Sequence, residues 1–417
     1  MQNSSDDSFY GLGIAPDLLK KLDSLKFTVP TPIQHKSIPI AITGEDVVGI
    51  AQTGTGKTLA FTIPLIQRMA AMKKGGLILC PTRELALQVN ETVKMLGQSF
   101  GLKSTVVIGG DSINRQISEL KKKPHVIVAT PGRLLDHMQK KTVDLSDVGI
   151  LIMDEADRML DMGFEPQIRK VLAALPKERQ TMLFSATMPA KISKIAQTYM
   201  KKPLRVEIAR AGTTAEQIEQ ELFVVPRNQK LALLQQLLLE YKGTVLVFSR
   251  TKYGAKKITR VVNKMGHKAA EIHSNRTLAQ RKMALEGFRS GKYRVLIATD
   301  IAARGIDVDE IEVVINYDLP DNSEDYVHRI GRTGRAGHTG KAISFACPEQ
   351  GKDVNAIENL INLSIPILPL PKDLPEPPPP PPRSFSPRGG GGRGPRGGGG
   401  GYRGKSGRGG RSGGRRR

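Results

Sequence analysis

Val47-Val48-Gly49-Ile50, running into Ala51-Gln52-Thr53-Gly54-Thr55-Gly56-Lys57-Thr58, is the stretch whose reading decides the fold. The four apolar residues predict a buried strand, the Gly-rich segment a tight loop, and Lys57 the opening of a helix. In that order, successive backbone N–H groups and the positive end of a helix converge on one point, which suits phosphate oxygens. Gln52, Thr53, Gly54, Thr55 and Gly56 would form the cradle, Lys57 would reach the β and γ phosphates of a nucleotide, and the Thr58 hydroxyl would ligate Mg²⁺. Ala51 stands where the general phosphate-loop pattern has its first Gly.

Short Val/Ile-rich runs recur on either side of helical stretches in two series. The first holds 47–50, 77–80, 105–108, 126–129, 150–153 and 182–185; the second holds 245–249, 269–272, 295–298, 313–316 and 342–346. Runs of this kind, separated by helices, indicate parallel strands covered on both faces, so the chain reads as a doubly wound α/β pattern stated twice. One connecting helix is legible in detail. Ala255, Ile258, Val261, Val262 and Met265 recur at spacings of three and four with Lys and Arg between them, which predicts an amphipathic helix with a basic outer face. The stretch 201–216 shows nothing periodic, and the junction between the two domains is placed at 212. Domain 1 then spans 1–212 and domain 2 spans 213–365.

At 417 residues the chain is long enough for two packed cores, and a small stapled scaffold is excluded. No stretch approaches about 18 consecutive apolar residues, and Met1–Asp7 is polar and acidic, so a soluble, cytoplasmic protein is expected. Cys80 and Cys347 stand apart in apolar runs, away from any Cys/His cluster. Residues 366–382 include an unbroken Pro377–Pro382 and predict a semi-rigid spacer. From 383 to 417 the chain is almost wholly Gly, Arg and Ser. Eleven of the formal +23 charge sits there, and the segment is expected to be disordered when free. Such a balance favours a polyanion, with nucleic acid and an anionic lipid surface both open on charge alone.

A second acidic signal completes a nucleotide site. In Leu151-Ile152-Met153-Asp154-Glu155-Ala156-Asp157 an apolar strand ends in Asp154, which can face a metal ion, while Glu155 can orient a water for in-line attack on a γ-phosphate. The string Asp154-Glu155-Ala156-Asp157, with the loop at 51–58, resembles the DEAD-box family of ATP-dependent RNA helicases. Further strings similar to that family follow in order: Pro81-Thr82-Arg83-Glu84-Leu85-Ala86, Gly109-Gly110, Thr130-Pro131-Gly132-Arg133, Ser185-Ala186-Thr187, Val247 to Thr251, Gln280-Arg281, Ala298 to Asp307 and His328 to Arg335. The stretches 273–277 and 285–289 are similar to its bacterial RhlE-like branch.

The resemblance implies two tandem RecA-like domains enclosing ATP and Mg²⁺, with RNA-stimulated ATP hydrolysis and local separation of short RNA duplexes. It places Lys57, Asp154, Glu155, Arg332 and Arg335 in catalysis, the two arginines reaching the γ-phosphate from domain 2. Gln34, within Pro30-Thr31-Pro32-Ile33-Gln34, would pair with adenine, Phe27 would stack near the base, Asp307 would bind the ribose, and Thr58 with Asp154 would hold the metal. Lys26 stands where the family usually has Gly. Phe9 matches an isolated upstream aromatic that either stacks near the base or tethers the segment to the core. Ser185 and Thr187 would couple hydrolysis to domain closure.

RNA would lie on Pro81, Thr82, Arg83, Gly109, Gly110, Thr130, Pro131, Gly132 and Arg133 of domain 1 and on Arg250, Thr251, Thr299, Arg304 and Gly305 of domain 2. These residues offer hydroxyls, backbone N–H groups and guanidinium groups suited to phosphates and 2′-OH groups, with little base readout. His273 is a candidate RNA-side contact, whereas His125, His137 and His267 read as surface or core residues. The Arg-Gly-Gly repeats at 388, 396 and 408 suit auxiliary RNA contact or a protein partner. Two rivals share the same strings: an ATP-gated RNA clamp that holds rather than unwinds, and a DNA-translocating helicase.

Overall fold

The computed structural model describes residues 8–52, 54–208, 218–300, 311–334, 340–372 and 374. The first sheet comprises β1 (Val47–Ile50), β2 (Gly75–Leu79), β3 (Ser104–Val107), β4 (Val126–Ala129), β5 (Val148–Met153), β6 (Gln180–Ser185) and β7 (Leu204–Glu207), in the order β3-β4-β2-β5-β6-β1-β7. The second comprises β8 (Ile218–Val224), β9 (Val245–Phe248), β10 (Ala269–Ile272), β11 (Val295–Ala298), β12 (Val313–Asn316), β13 (Gly340–Ala346) and β14 (Ile367–Leu368), in the order β10-β11-β9-β12-β13-β8-β14. Every strand pair among the described residues is parallel.

Parallel strands need helical crossovers, which cover both faces and explain the unbroken apolar runs. Alternate residues of the central strands feed opposite cores. Val48, Leu77, Leu151 and Leu183 face one cluster, and Val47, Ile78, Ile152 and Met182 the other. The second sheet repeats the arrangement, with Val245, Ile297 and Ile315 on one side and Leu246, Leu296 and Val314 on the other. The predicted amphipathic helix spans Lys252–Lys264 and buries Ala255, Ile258 and Val262.

Three strands escape the pattern reading. Within the aperiodic stretch 201–216, β7 buries only Val206, because it is an edge strand with one neighbour. β8 interleaves Glu and Gln with Ile218, Leu222 and Phe223, so it shows no continuous run. β14 corrects the expected start of the spacer. Leu222 N donates to Pro366 O at 2.9 Å, and Leu370 and Leu374 pack on the second core. Proline lacks an N–H but keeps its carbonyl, so a sheet edge remains open to it. The junction placed at 212 and the tail from 383 lie outside the described residues.

An N-terminal cluster holds Phe9, only 3% exposed, against Leu12, Leu18, Leu22 and Ile38, which makes Phe9 a core tether. Phe27 is half-buried at the edge of the same cluster. Beyond helix Pro16–Ser24, Lys26 adopts φ 62°, the left-handed region that Gly occupies without steric cost. Lys26→Gly is therefore expected to stabilise the protein. A left-handed non-Gly residue costs about 1–2 kcal/mol, offset by about 0.4–1 kcal/mol from the looser unfolded chain. Urea unfolding should show a gain of about 0.5–1 kcal/mol. A loss would mean that packing of the Lys26 side chain outweighs the backbone strain.

Candidate active site

The carboxyl ends of β1, β2, β4, β5 and β6 lie side by side in the first sheet, where open parallel sheets bind ligands. The loop after β1 turns through Gly54 and Gly56, both at φ 86°, and helix Lys57–Met72 begins directly behind it. A side chain at Gly56 would run into the Gln34 amide. That amide braces the loop: Gln34 Nε2 donates to Gly56 O at 2.9 Å, and its Oε1 accepts from Thr31 N at 2.9 Å. One donor and one acceptor of Gln34 remain for a base edge. Thr55 Oγ1 donates to Gln52 O at 2.6 Å, and the buried Lys57 ammonium donates to Ala51 O at 2.7 Å. Thr58 is half-buried in the first helical turn. Thr53 lies outside the described residues.

Asp154 continues β5, its N–H bonded to Leu79 O at 2.9 Å, and is 2% exposed. Its Oδ1 is buried and has no hydrogen-bond partner among the described residues. Burial, followed by the charge of Glu155, pushes its pKa up to about 7, against the pull of Lys57. A buried carboxylate oxygen without a partner among the described residues is the kind of hard oxygen donor that fits a divalent cation. Glu155 follows at φ 51°, a left-handed conformation that turns the chain from β5 into helix Ala156–Asp161. Strain of this kind collects at functional sites.

Asp157 ties the neighbouring strand end to this turn. Its Oδ1 accepts from Arg158 N, its Oδ2 accepts from Ala186 N, Thr187 N and Thr187 Oγ1 at 2.8–3.0 Å, and its own N–H donates to Ser185 Oγ at 3.1 Å. Ser185 and Thr187, predicted to couple hydrolysis to closure, are thus bonded directly to the acidic turn. Arg158, which the sequence reading missed, is 1% exposed and donates from Nη1 to both Glu155 oxygens at 3.2 and 3.4 Å. Its i, i+3 spacing from Glu155 was the available signal.

Arg158 also lines one small cleft with Phe248, Asp300, His328, Arg329 and Arg332 of the second sheet's domain. Arg332 is buried, with Nε donating to His328 O at 3.2 Å. Arg329, inside the string from His328 to Arg335, is a second residue whose part sequence reasoning missed. It is fully buried over Phe248, gripping Asp300 with two bonds of 2.5 and 2.7 Å and donating to Asp318 O at 2.6 Å. A bridge between the domains joins Arg281 Nη2 to Glu84 Oε2 at 2.8 Å, both buried, with Leu278 packed against the first core. Arg304, Gly305, Asp307 and Arg335 lie outside the described residues.

The predicted RNA contacts fall mainly on helix starts. Thr82 Oγ1 accepts from Leu85 N and Thr251 Oγ1 from Gly254 N, while Thr130 precedes helix Pro131–Gln139. The Arg83 guanidinium lies against Gly109 and Gly110, where a Cβ at Gly110 would collide with it. Arg133 faces inward and donates to Asp111 O at 3.2 Å, bracing the same turn. Pro81, Thr82, Thr130 and Pro131 are buried; Arg83, Gly132, Arg133 and Thr299 are half-buried; Gly110, Arg250 and Thr251 are exposed. His273 is corrected: it is buried beside Glu271, and burial pushes its pKa down, so it is no surface contact.

Residues 31–195 match the DEAD/DEAH box helicase family and residues 229–337 the helicase conserved C-terminal domain. The chain is 42% identical over 368 residues to the ATP-dependent rRNA helicase RRP3 of Debaryomyces hansenii, covering 87% of this chain and 77% of that one. It is 43% identical over 354 residues to the DEAD-box ATP-dependent RNA helicase CshA of Bacillus subtilis, covering 84% and 72%. The fold superposes on S. cerevisiae Dbp5 bound to RNA and ADP BeF3 with a TM-score of 0.79 at 32% identity, covering 87% of this chain and 96% of that one.

The buried Asp154 carboxyl has a consequence for stability. The folded state keeps its proton up to about pH 7, whereas an unfolded chain releases it near 3.8. The folded protein therefore binds the extra proton across that window, and its stability falls as pH rises through it. Without nucleotide or Mg²⁺, Asp154→Asn should flatten this fall and melt several degrees above wild type at pH 8, at about 2–4 °C per kcal/mol for domains of this size. Equal or lower melting at pH 8 would show that the carboxylate is solvated there.

Proposed function

This chain belongs to the DEAD-box family of ATP-dependent RNA helicases and hydrolyses ATP in an RNA-stimulated manner, and we propose that the cleft between its two sheets works as follows. The loop 51–58 holds the phosphates, with Lys57 released from Ala51 O onto the β and γ oxygens. Gln34 reads the adenine edge while bracing Gly56, Phe27 lies near the base, and Asp307 takes the ribose. Thr58 and Asp154 hold Mg²⁺, which when bound neutralises charge on the phosphate oxygens. Glu155 orients the water that attacks the γ-phosphate in line, and ADP leaves with the bridging oxygen. Arg332 and Arg335 offset the charge that builds on the transferring group. The observation that carries this reading is the buried chain from Glu155 through Arg158 to the cleft lined by Arg332.

RNA lies across the rims of both domains, on the stretches from Pro81 to Arg133 and from Arg250 to Gly305, as a strand whose backbone is gripped and whose bases are scarcely read. Closure bends that strand and separates a short duplex. Ser185 and Thr187, bonded to Asp157, report the state of the acidic turn to the closing domain. The first domain runs 1–212 and the second from 213 through β14; the spacer then runs to 382 and an auxiliary RNA-binding or protein-binding tail follows at 383–417. The strings at 273–277 and 285–289 support a place near the bacterial RhlE-like branch, and a cytoplasmic protein fits the apolar patterning.

Glu155→Gln should retain ATP binding and lose nearly all turnover, since the amide keeps the shape without the carboxylate that orients water. Steady-state ATPase with saturating RNA decides it, and normal turnover would move the role elsewhere. Deleting residues 383–417 should weaken RNA binding and flatten its salt dependence, the log–log slope falling by about 0.7 for every single-strand phosphate that the tail had neutralised. Anisotropy titrations against salt on full-length and shortened protein test this; identical slopes would assign the tail to a protein partner.

A further inference from the structure

Helix Lys252–Lys264 follows Arg250 and Thr251 without a break, and Thr251 caps it. Its inner face is spent on Ala255, Ile258 and Val262. Its outer face carries Lys252, Lys256, Lys257, Arg260 and Lys264, and the helix contains no Asp or Glu. Lys256, Lys257, Arg260 and Lys264 are exposed and form no ion pair with the described residues. At the head of this face stands Tyr253, 71% exposed, with the Lys252 ammonium over its ring at 5.3 Å from the centroid. Lys252 also donates to Asn275 Oδ1 at 3.1 Å.

Two features of this face are unfavourable for the isolated protein. Lysines in the first turns sit at the positive end of the helix dipole, where anions are preferred. A large aromatic ring is held in water, where a core or interface position would bury it. Both become favourable when a polyanion with flat faces lies along the helix, because aromatic rings stack bases of any sequence and Lys/Arg neutralise phosphates. Tyr253, Lys257, Arg260 and Lys264 are spaced four, three and four apart, so they form one row about 17 Å long at 1.5 Å per residue.

We propose that this face is a second RNA track, taking single-stranded RNA that leaves the rim at Arg250 and Thr251, with one base stacked on Tyr253. The track rests on the assignment of that rim to RNA. Charge complementarity and continuity with the rim commit it to RNA over an acidic protein surface.

The test uses full-length protein, a 20-nucleotide single-stranded RNA and a non-hydrolysable ATP analogue, with binding followed by anisotropy across a salt series. Tyr253→Ala should lose affinity about fivefold or more, the low end of a single stacked base, while Tyr253→Phe should stay within about twofold of wild type. A variant with Lys256, Lys257 and Arg260 all changed to Gln should lower the log–log salt slope by about 0.7 for each phosphate left without its cation. Thermal melting checks that every variant is folded. Unchanged affinity in Tyr253→Ala together with an unchanged slope in the triple variant, beside normal wild-type binding, overturns the track alone and leaves the face to an acidic protein. A wild-type chain that fails to bind RNA overturns the rim assignment and the track with it.

Discussion

The Asp157 carboxylate accepts four hydrogen bonds, one from Arg158 N and three from Ala186 and Thr187, and through them joins the carboxyl ends of β5 and β6. The acidic turn of the first domain is held relative to that knot. Asp154 and Glu155 precede it by three and two residues, and the left-handed backbone of Glu155 persists because the turn is fastened on both sides. Multiple N–H donors to one carboxylate are strong, directional interactions that cost little reorganisation when a nucleotide arrives. The Ser185–Thr187 segment is thus fastened directly to the turn that carries the acidic residues.

The two domains meet through charges removed from water. Glu84 and Arg281 are both buried; burial pushes the Glu84 carboxyl up and the Arg281 guanidinium down from their ordinary values, and each opposes the other's shift. A pair of this kind adds little net stability, since desolvation consumes most of the attraction, but removing one partner is costly. It is better suited to fixing which arrangement of the domains is allowed. Arg158 is also buried at the cleft, with Nη1 on Glu155 and Nη2 without a hydrogen-bond partner among the described residues. Arg158 thus touches the acidic turn and also lines the cleft that Arg332 lines.

The features legible in the sequence were those whose physics is local. The phosphate loop needs glycines at positive φ and a lysine at a helix start, all within eight residues, and strands covered on both faces announce themselves as apolar runs. Strands at or next to a sheet edge do not. β7 has a neighbour on one side only, β8 carries Glu and Gln among its apolar residues, and the pairing of β14 depends on a carbonyl of Pro366 in a stretch whose composition reads as spacer. Pairings distant in sequence were also silent: Arg329 meets Asp300 from 29 residues away and Arg281 meets Glu84 from 197. Phe9 and His273 show the limit from the other direction, because residue type alone does not tell a stacking or RNA-facing group from a packed one. Lys26 is a midway case, its positive φ foreshadowed by the Gly expected at that position.

In both sheets the first strand of the domain is clasped between strands made last: β1 lies between β6 and β7, and β8 between β13 and β14. On a ribosome adding about 5–20 residues per second, β1 and the loop behind it wait about 7–30 s before β6 has been translated. Neither domain can close piecemeal from its amino end. During that interval the edges of β1 lack their partner strands, so biosynthesis is a stage at which this architecture is exposed to aggregation and at which a holding chaperone would matter.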